Sequence, residues 1–341
     1  MDAAKMPDAA KTPKTAFLFA GQGSQHAGMG ADLYQAYPAF AQVIDEATAA
    51  VDFDLKQLMF EGPEELLMQT AFTQPCMVAF ACGLTAVLRE RGIEPDYVAG
   101  LSLGEYSALA AAGVFEPAQA VALARFRGHA MEQAAAGRDT AMVSILGLSR
   151  EAVEDAVAQA ARAAASAAPD AVPADPDAAP AVVEVSNYNC PGQIVIAGDA
   201  SAVMAASALA KEAGARRCIP LKVSGPFHTS LLAPAGEALR ERFAGEQFGT
   251  MRVPVLFNCL GREARVDAAG APVTDEDVPS LLVRQVQTAV HMEETIHRLA
   301  ELGVERVIEA GPGKVLSGLV RKTEPSITCI PVETVEQVAT L

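Results

Sequence analysis

The chain has 341 residues, of which 51% are hydrophobic, and its formal net charge is −16. This length suffices for one large or two modest domains, and no apolar run reaches the roughly 18–20 residues that a membrane-spanning helix needs. The acidic balance argues against nucleic acid as a partner, because phosphate backbones bind basic surfaces.

Cysteine and histidine usage argues against two further kinds of site. The six cysteines contain no C-x-x-C pair, and the five histidines contain no H-E-x-x-H pattern. His291 and His297 are six residues apart, a poor spacing for two ligands on one helix. We therefore expect no metal centre, no disulfide framework and a reducing, cytoplasmic location.

The first part of the chain shows strands that alternate with helices. Apolar runs end in glycine turns, and alanine-rich helical patterns follow them. The predicted elements are, in order, a disordered tail (1–14), the strand "TAFLFAGQG", helices over about 28–92 with breaks at Gly62-Pro63 and near Pro75, the strand "PDYVAGLS", a helix to about Ala112 and a helix that Pro117 opens.

From about residue 140 the predicted order becomes β-α-β-β-α-β, which is typical of a small ferredoxin-like fold. We expect residues 140–223 to form such a subdomain, inserted into a larger body. Within it, residues 168–181 are rich in Pro, Ala and Asp without any strand or helix period. That composition predicts a flexible insertion.

The larger body resumes at residue 224. Its predicted elements are a helix over 230–244, the strand "VPVLFN", a helix over 275–300, the strand "VERVIEA" and the turn "GPGK". The fold class is therefore α/β, with a large α/β-hydrolase-like body around a parallel sheet (15–139 and 224–341) and one inserted ferredoxin-like subdomain.

A serine lies between two glycines at a predicted strand-to-helix turn, in Gly100-Leu101-Ser102-Leu103-Gly104. This G-x-S-x-G pattern is typical of a nucleophile elbow, in which the serine hydroxyl is exposed at a helix N-terminus. Backbone N–H groups at that place can stabilise an oxyanion. The ordinary alternative is a serine that caps the helix.

A serine nucleophile needs a base, and His228 in "VSGPFHTSLL" is the best candidate. It follows a predicted strand in a Gly-Pro turn that restricts the backbone. The ordinary alternative is a loop histidine with a satisfied hydrogen bond, and periodicity does not decide between the two.

Seven motifs in order identify a family. They resemble those of the malonyl-CoA:acyl carrier protein transacylases of fatty acid synthesis, which are similar to the acyltransferase units of polyketide synthases. The resemblance runs from about residue 16 to about 322, without the tail, the insertion and the last 15 or so residues. The motifs are "FLFAGQGSQHAGMG", "GLSLGEYSALAAAGVF", "RFRGHAM", "NYNCPGQIVIAG", "VSGPFHTSLL", "FNCLG" and "EAGPGKVLSGLVRK".

The resemblance implies a ping-pong transfer through a malonyl–serine ester. Ser102 is then the nucleophile, and His228 is the base that takes its proton. The backbone N–H groups of Gln22 and Leu103 form the oxyanion hole. A main-chain carbonyl, at Gln285, orients the histidine, so that no acid is needed.

The resemblance also implies four substrate-binding residues. Arg127 holds the malonyl carboxylate, for which a planar guanidinium is well suited because it can donate two parallel hydrogen bonds. Phe227 crowds the acyl α-carbon and favours malonyl over methylmalonyl. Asn189 and Asn258 lie near the site and supply supporting hydrogen bonds.

Two departures from the family pattern affect the site. Leu101 stands before the serine, where the family often has histidine. After Gln285 the chain reads "TAVHM", where the family often has Pro and Trp. The second departure changes the packing beside the carbonyl that orients His228.

The implied partners are malonyl-CoA and an acidic acyl carrier protein, whose phosphopantetheine arm makes any further cofactor unnecessary. An acidic chain needs a local basic rim to dock such a carrier. The candidate rim residues are Arg216, Arg217, Lys222, Lys314, Arg321 and Lys322.

Three alternatives stay open at this stage. A serine thioesterase or hydrolase would use a similar elbow but needs an acid partner. A non-catalytic scaffold that binds carrier proteins disagrees with an intact serine and histidine. A discrete acyltransferase of a polyketide pathway keeps the chemistry and changes only the carrier.

Overall fold

The computed structural model describes residues 13–166, 181–268 and 270–341, which form an α/β fold on two sheets. Nearly all of the predicted tail and of the insertion over 168–181 lies outside these residues. The first strand begins at Lys14, which the prediction had placed in the tail.

Eleven strands are present in the described part of the chain, and most lie where apolar runs predict them. They are β1 Lys14–Phe19, β2 Tyr97–Gly100, β3 Thr140–Leu146, β4 Val183–Cys190, β5 Gln193–Asp199, β6 Arg217–Pro220, β7 Val255–Phe257, β8 Arg262–Glu263, β9 Val290–His291, β10 Val304–Ala310 and β11 Thr328–Val332.

Fourteen α-helices connect these strands in the same described residues. They are α1 Ala31–Ala36, α2 Pro38–Ala49, α3 Leu55–Glu61, α4 Glu64–Leu67, α5 Thr70–Glu90, α6 Gly104–Ala111, α7 Pro117–Ala135, α8 Arg150–Ser166, α9 Ala200–Glu212, α10 Ala233–Phe243, α11 Val278–Gln285, α12 Met292–Glu301, α13 Val315–Thr323 and α14 Val335–Ala339.

The larger sheet has the strand order β11-β10-β1-β2-β7-β8, and all of its pairings except β7 with β8 are parallel. Helices cover the central strands on both faces, so Ala16 to Phe19 of β1 are fully buried. In such sheets, ligands bind beyond the carboxyl ends of the strands. Here the "GQG" turn follows β1, and the predicted elbow follows β2. Asn258 follows β7, and the "GPG" turn follows β10.

The smaller sheet has the order β6-β3-β5-β4-β9. Its first four strands pair antiparallel, and α8 and α9 pack against them around a separate core. The fifth strand, β9, comes from the larger body and pairs parallel to β4. The small sheet therefore includes chain beyond the predicted bounds 140–223.

The predicted helix over 275–300 is wrong. The segment forms α11 and α12, with β9 between them. Val290 pairs with Asn187, and His291 pairs with Tyr188, so the backbone hydrogen-bonds to the smaller sheet instead of continuing the helix. This interruption brings the end of α11 toward the predicted elbow.

The predicted break near Pro75 is also wrong, because α5 passes through it. A proline inside a helix leaves the carbonyl four residues earlier without its N–H donor. The Arg125 guanidinium supplies the missing donor, since its Nη1 lies 3.0 Å from the Ala71 oxygen. Contrary to the expectation from apolar runs, one helix among the described residues, α5, is long and apolar enough to cross a membrane. Since 89% of its apolar window is buried inside the fold, it is a core helix.

Helices α5 and α7 pack closely, and a glycine sets their distance. A Cβ on Gly128 of α7 would lie 2.8 Å from the backbone oxygen of Thr70 on α5. Only glycine allows the two backbones to approach this closely. The neighbouring side chain, Arg127, is thereby brought against α5.

Candidate active site

The predicted elbow is a tight turn between β2 and α6, and both of its glycines are sterically required. A Cβ on Gly100 would lie 2.0 Å from the carbonyl carbon of Gly104, and one on Gly104 would lie 2.3 Å from the Phe19 oxygen. Ser102 between them has a φ of 55°, which is the left-handed region. Strain of this kind is common at functional sites.

The side chains of Ser102 and His228 meet although 126 residues separate them. Ser102 Oγ lies 2.7 Å from His228 Nε2, and His228 Nδ1 lies 2.8 Å from the Gln285 backbone oxygen. His228 is buried and also left-handed, with a φ of 62°. The Gln285 carbonyl thus has the orienting position that the resemblance implies, despite the changed sequence after it.

The neighbours of this pair fix the direction of each hydrogen bond. Arg127 Nη2 lies 3.1 Å from Ser102 Oγ, and a guanidinium can only donate. The serine oxygen therefore accepts from Arg127, and its own hydrogen points to His228 Nε2. Because the Gln285 carbonyl can only accept, the ring proton is on Nδ1, and Nε2 is free to act as a base.

Burial, and after it the charge of Arg127, lower the pKa of His228 to about 3. The hydrogen bond to Gln285 opposes this effect. The imidazole is therefore neutral at physiological pH. A neutral imidazole is the form that can take the serine proton.

The Arg127 guanidinium is fully buried and is held by two neutral side chains. Nη1 donates to Gln74 Oε1 at 2.7 Å, and Nη2 donates to Gln285 Oε1 at 2.9 Å as well as to Ser102. Nε has no hydrogen-bond partner among the residues that the structure describes. The group therefore holds a positive charge directly behind the serine.

A second buried charge-bearing group, Glu105, lies beneath the elbow. Its Oε2 accepts from the Asn258 N–H at 2.6 Å, while Oε1 is without a partner in the described part of the chain. Burial raises the pKa of Glu105 to about 8, against the opposing effects of the Asn258 N–H and of Arg127. This carboxyl is therefore mostly protonated at neutral pH.

Asn258 supports the elbow from below. Its Oδ1 accepts from the Ser102 N–H, and its Nδ2 donates to the Gly100 oxygen, both at 2.6 Å. Asn258 is buried and is not part of the cavity wall. Its placement among substrate-binding residues is corrected accordingly, since it positions the nucleophile.

A cavity of about 200 Å³ opens onto Ser102 and His228. Gln22, Asn189 and Phe227 are in its wall, as the sequence-based roles require, and Leu101 joins them. Arg127 is not in the wall, because it lies deeper, behind the serine. A larger cavity of about 520 Å³, beside β7 and β8, contains none of the predicted site residues.

The geometry leaves two backbone donors available near the serine. The N–H groups of Gln22 and Leu103 donate to no acceptor in residues 13–166, 181–268 and 270–341. Leu103 precedes the first turn of α6, where the helix dipole is positive. The "GQG" turn lies against the elbow, since a Cβ on Gly21 would be 2.7 Å from the Leu101 oxygen.

The six predicted rim residues are all exposed, but their distances from the cavity differ. Only Lys222 among them lines its mouth. The apolar side chains of Leu221, Val223 and Met68 surround it and are also exposed. Arg216, Arg217, Lys314, Arg321 and Lys322 are exposed outside the cavity wall.

Three features of the site were missed by the sequence analysis. Gln74 was not considered, although a glutamine in an otherwise apolar helix is a detectable signal. Glu105 was quoted in a motif without a role. For Gln285 only the carbonyl was considered, whereas its side chain also donates from Nε2 to the backbone oxygen of Ser102 at 2.8 Å.

Comparisons with known proteins agree with this geometry. Residues 16–339 match the family model described as acyl transferase domain. This match extends past the region that the seven motifs cover. A curated relative from Bacillus subtilis (strain 168), a malonyl CoA-acyl carrier protein transacylase, is 41% identical over 326 residues, with 95% of each chain covered. The relative of the same name from Escherichia coli (strain K12) is 38% identical and covers 92% of this chain and 94% of its own.

Solved structures are similar over nearly the whole chain. An acyl carrier protein S-malonyltransferase from Vibrio cholerae superposes with a TM-score of 0.84 at 38% identity, covering 96% of this chain and 99% of the other. A malonyl-transacylase in complex with a type II PKS acyl-carrier protein has a TM-score of 0.84 at 36% identity, with 96% and 98% covered.

Proposed function

This chain belongs to the acyl transferase domain family, and we propose on that premise that it carries malonyl groups from malonyl-CoA to an acyl carrier protein in fatty acid synthesis. The observation that supports this most directly is the contact of Ser102 with both His228 and Arg127. One nucleophile, one base and one carboxylate-binding cation meet at one atom.

In the first half-reaction, Ser102 Oγ attacks the thioester carbonyl while His228 Nε2 takes the hydroxyl proton. The tetrahedral oxyanion accepts hydrogen bonds from the Gln22 and Leu103 N–H groups. The carbon–sulfur bond then breaks, and His228 returns the proton to the departing CoA thiolate. The products are a malonyl–serine ester and free CoA.

The second half-reaction runs the same steps in reverse order. The phosphopantetheine thiol of the carrier gives its proton to His228, and the thiolate attacks the serine ester. The intermediate collapses, and His228 protonates Ser102 as it leaves. A ping-pong cycle follows, because CoA departs before the carrier reacts. The reaction requires no resident cofactor.

The malonyl carboxylate binds Arg127 in this proposal. On acylation Ser102 Oγ becomes an ester oxygen, a poorer acceptor, and Nη2 exchanges that contact for the carboxylate. Acetyl-CoA brings no carboxylate and leaves the buried cation without a counter-charge, which disfavours it. Phe227 in the cavity wall restricts space at the α-carbon and favours unsubstituted malonyl.

We place the carrier over the cavity mouth, with Lys222 as its first basic contact. The exposed apolar side chains of Met68, Leu221 and Val223 around Lys222 suit a carrier surface of mixed character. Asn189 is positioned to bind an amide of the pantetheine arm, since its Oδ1 is buried and has no partner among the described residues.

Intact mass spectrometry tests the proposal. Incubation with malonyl-CoA should add the mass of one malonyl group to the protein. When carrier protein is then added, the protein should lose this mass and the carrier should gain it. Release of free malonate instead of malonyl-carrier would support the thioesterase alternative. Absence of an adduct, with or without carrier, would contradict both.

The polyketide alternative keeps a specific observation in its favour. One similar structure is that of a malonyl-transacylase with a type II PKS acyl-carrier protein. Side-by-side transfer to a fatty acid carrier and a polyketide carrier distinguishes the two pathways, and we propose the fatty acid carrier as the better substrate.

We also propose a finer description of the fold and a cytoplasmic location. The antiparallel order β6-β3-β5-β4, with helices α8 and α9 on one core, supports a ferredoxin-like subdomain. The strand–elbow–helix at β2 and α6 supports an α/β-hydrolase-like body. The free state of all six cysteines supports a reducing compartment.

A further inference from the structure

Gln74 is a buried polar residue on the apolar helix α5, and it contacts the proposed carboxylate-binding group. Its Oε1 accepts from Arg127 Nη1 at 2.7 Å, and its Nε2 points to the Met131 sulfur at 3.6 Å. Arg127 can only donate, so the amide oxygen must face it. The close approach of α5 and α7 at Gly128 makes this contact possible.

Gln74 is an uncharged hydrogen-bond partner for the Arg127 guanidinium. A carboxylate at the same place would form a charge-assisted hydrogen bond with Nη1 and neutralise the guanidinium. The amide oxygen instead holds the guanidinium without adding charge. The second partner, Gln285 Oε1, is also a neutral amide oxygen.

The surroundings of Arg127 preserve its charge in the same way. Among the described residues, Arg127 hydrogen-bonds only to Gln74, Gln285 and Ser102 and forms no ion pair with a carboxylate. Two ionisable groups act on it through space, the Tyr106 phenol and the buried carboxyl of Glu105, and that carboxyl is mostly protonated at neutral pH. An uncompensated buried cation is costly and therefore has a strong preference for an anionic ligand.

We propose that Gln74 is a specificity-determining positioning residue, which fixes the Arg127 guanidinium in place while leaving its charge unpaired for the dicarboxylic acyl group. The inference rests on the proposed function and deepens it. Gln74 itself does not touch the substrate. It acts through Arg127, and its effect should appear in the choice between malonyl-CoA and acetyl-CoA.

The decisive variant is Gln74→Glu, which is nearly isosteric and adds one negative charge beside Nη1. We expect the ratio of malonyl to acetyl kcat/KM to fall on the order of 100-fold, because the new carboxylate occupies the role of the substrate carboxylate. Gln74→Met is the matched control, since it keeps the length of the side chain and adds no charge. We expect its ratio to fall only about 10-fold, through looser positioning.

Serine-directed fluorophosphonate labelling should report whether the dyad is intact in each variant. A purely structural role for Gln74 would lower labelling, malonyl transfer and acetyl transfer together. Equal falls of the malonyl-to-acetyl ratio in both variants, or an unchanged ratio in Gln74→Glu, would overturn the charge argument. If Gln74→Glu does not fold, an unchanged ratio in Gln74→Met overturns the proposal.

The wild-type protein separates this inference from the proposed function. If wild type forms no malonyl adduct, the proposed function fails. If wild type is malonylated and Gln74→Glu keeps the wild-type ratio, the proposed function stands and only the role of Gln74 fails.

Discussion

Ser102 and His228 share a left-handed backbone conformation as well as a hydrogen bond of 2.7 Å. Neither residue type adopts positive φ without cost. In both cases the surrounding chain enforces it, at Ser102 through the packed glycines and at His228 through the buried loop after Pro226. The reacting atoms are thus held together before substrate arrives, which reduces the reorganisation that acylation requires.

Replacement of the nucleophile is the first prediction. Ser102→Ala should abolish the malonyl adduct of about 86 Da that wild type shows in intact mass spectrometry, because catalysis depends on one covalent nucleophile. Ser107→Ala is the control, since Ser107 is a buried serine of α6 outside the cavity wall. An adduct that persists in Ser102→Ala would assign the nucleophile elsewhere.

The second prediction concerns Arg127. Arg127→Ala should lower malonyl kcat/KM by on the order of 1000-fold while acetyl transfer falls much less, since the lost interaction belongs to the carboxylate. Arg127→Lys keeps the charge without the planar fork and should give an intermediate ratio. The measurement is kcat/KM with malonyl-CoA and with acetyl-CoA. Equal falls of kcat/KM for both thioesters would contradict the role of Arg127 in binding the carboxylate.

The third prediction follows from the lowered pKa of His228, about 3 in the folded protein. The neutral imidazole is the active form, so the rate of Ser102 acylation should stay flat from about pH 5 to about pH 7. An ordinary histidine would lose half of its activity near pH 6.5. Quenched-flow acylation at several pH values measures this, and a midpoint near 6.5 would contradict the burial argument.

The fourth prediction concerns Glu105 and stability. Its pKa is raised from 4.5 to about 8, so the folded protein binds an extra proton between these values. The stabilisation of the folded state that this extra proton provides is complete below pH 4.5. It declines as the pH rises above that value and is lost once the pH has passed about 8. Wild type should therefore lose about 3 kcal/mol of unfolding free energy between about pH 6 and about pH 8.5 through this group.

Glu105→Gln removes the titrating carboxyl and keeps an acceptor for the Asn258 N–H. Urea unfolding at the two pH values should show the loss in wild type and not in the variant. The control is Glu305→Gln, which removes the same charge from an exposed site. An identical pH dependence in wild type and Glu105→Gln would contradict the prediction.

The fifth prediction tests carrier docking at the cavity mouth. Lys222→Glu should raise KM for the carrier protein by about 10-fold and leave acylation by malonyl-CoA within about 2-fold, because the change adds repulsion only toward an acidic macromolecule. Arg91→Glu is the control, since this exposed arginine lies before β2, at the amino ends of the strands, whereas the cavity lies beyond their carboxyl ends. Equal effects of the two variants would remove Lys222 from the docking surface.

The sequence predicted those parts of the site that depend on local backbone geometry. The elbow at Ser102 follows from the glycine spacing between a strand and a helix, and the turn at His228 follows from Gly-Pro. Family motifs added the Gln285 carbonyl and Arg127. The structure now places each of these groups in one connected set of hydrogen bonds.

The parts that could not be predicted depend on contacts between distant segments. The two-residue strand β9 has no local signal, because it forms only where β4 is available as a partner. Continuation of α5 through Pro75 requires Arg125 from another helix. The depth of Arg127 behind the serine, and its contact with Gln74, arise from helix packing that no local pattern encodes.

The spacing of α5 and α7 at Gly128 has a wider consequence. Gly128 has only a hydrogen as its side chain and contacts neither the substrate site nor the Ser102–His228 dyad. Its small size nevertheless determines how closely the Gln74 amide on α5 approaches the Arg127 guanidinium on α7. With the roles proposed for Gln74 and Arg127, acyl preference in this scaffold would be tunable from outside the cavity. A lineage could change its extender unit by drift at an interhelical contact, with every residue that meets the thioester left as it was.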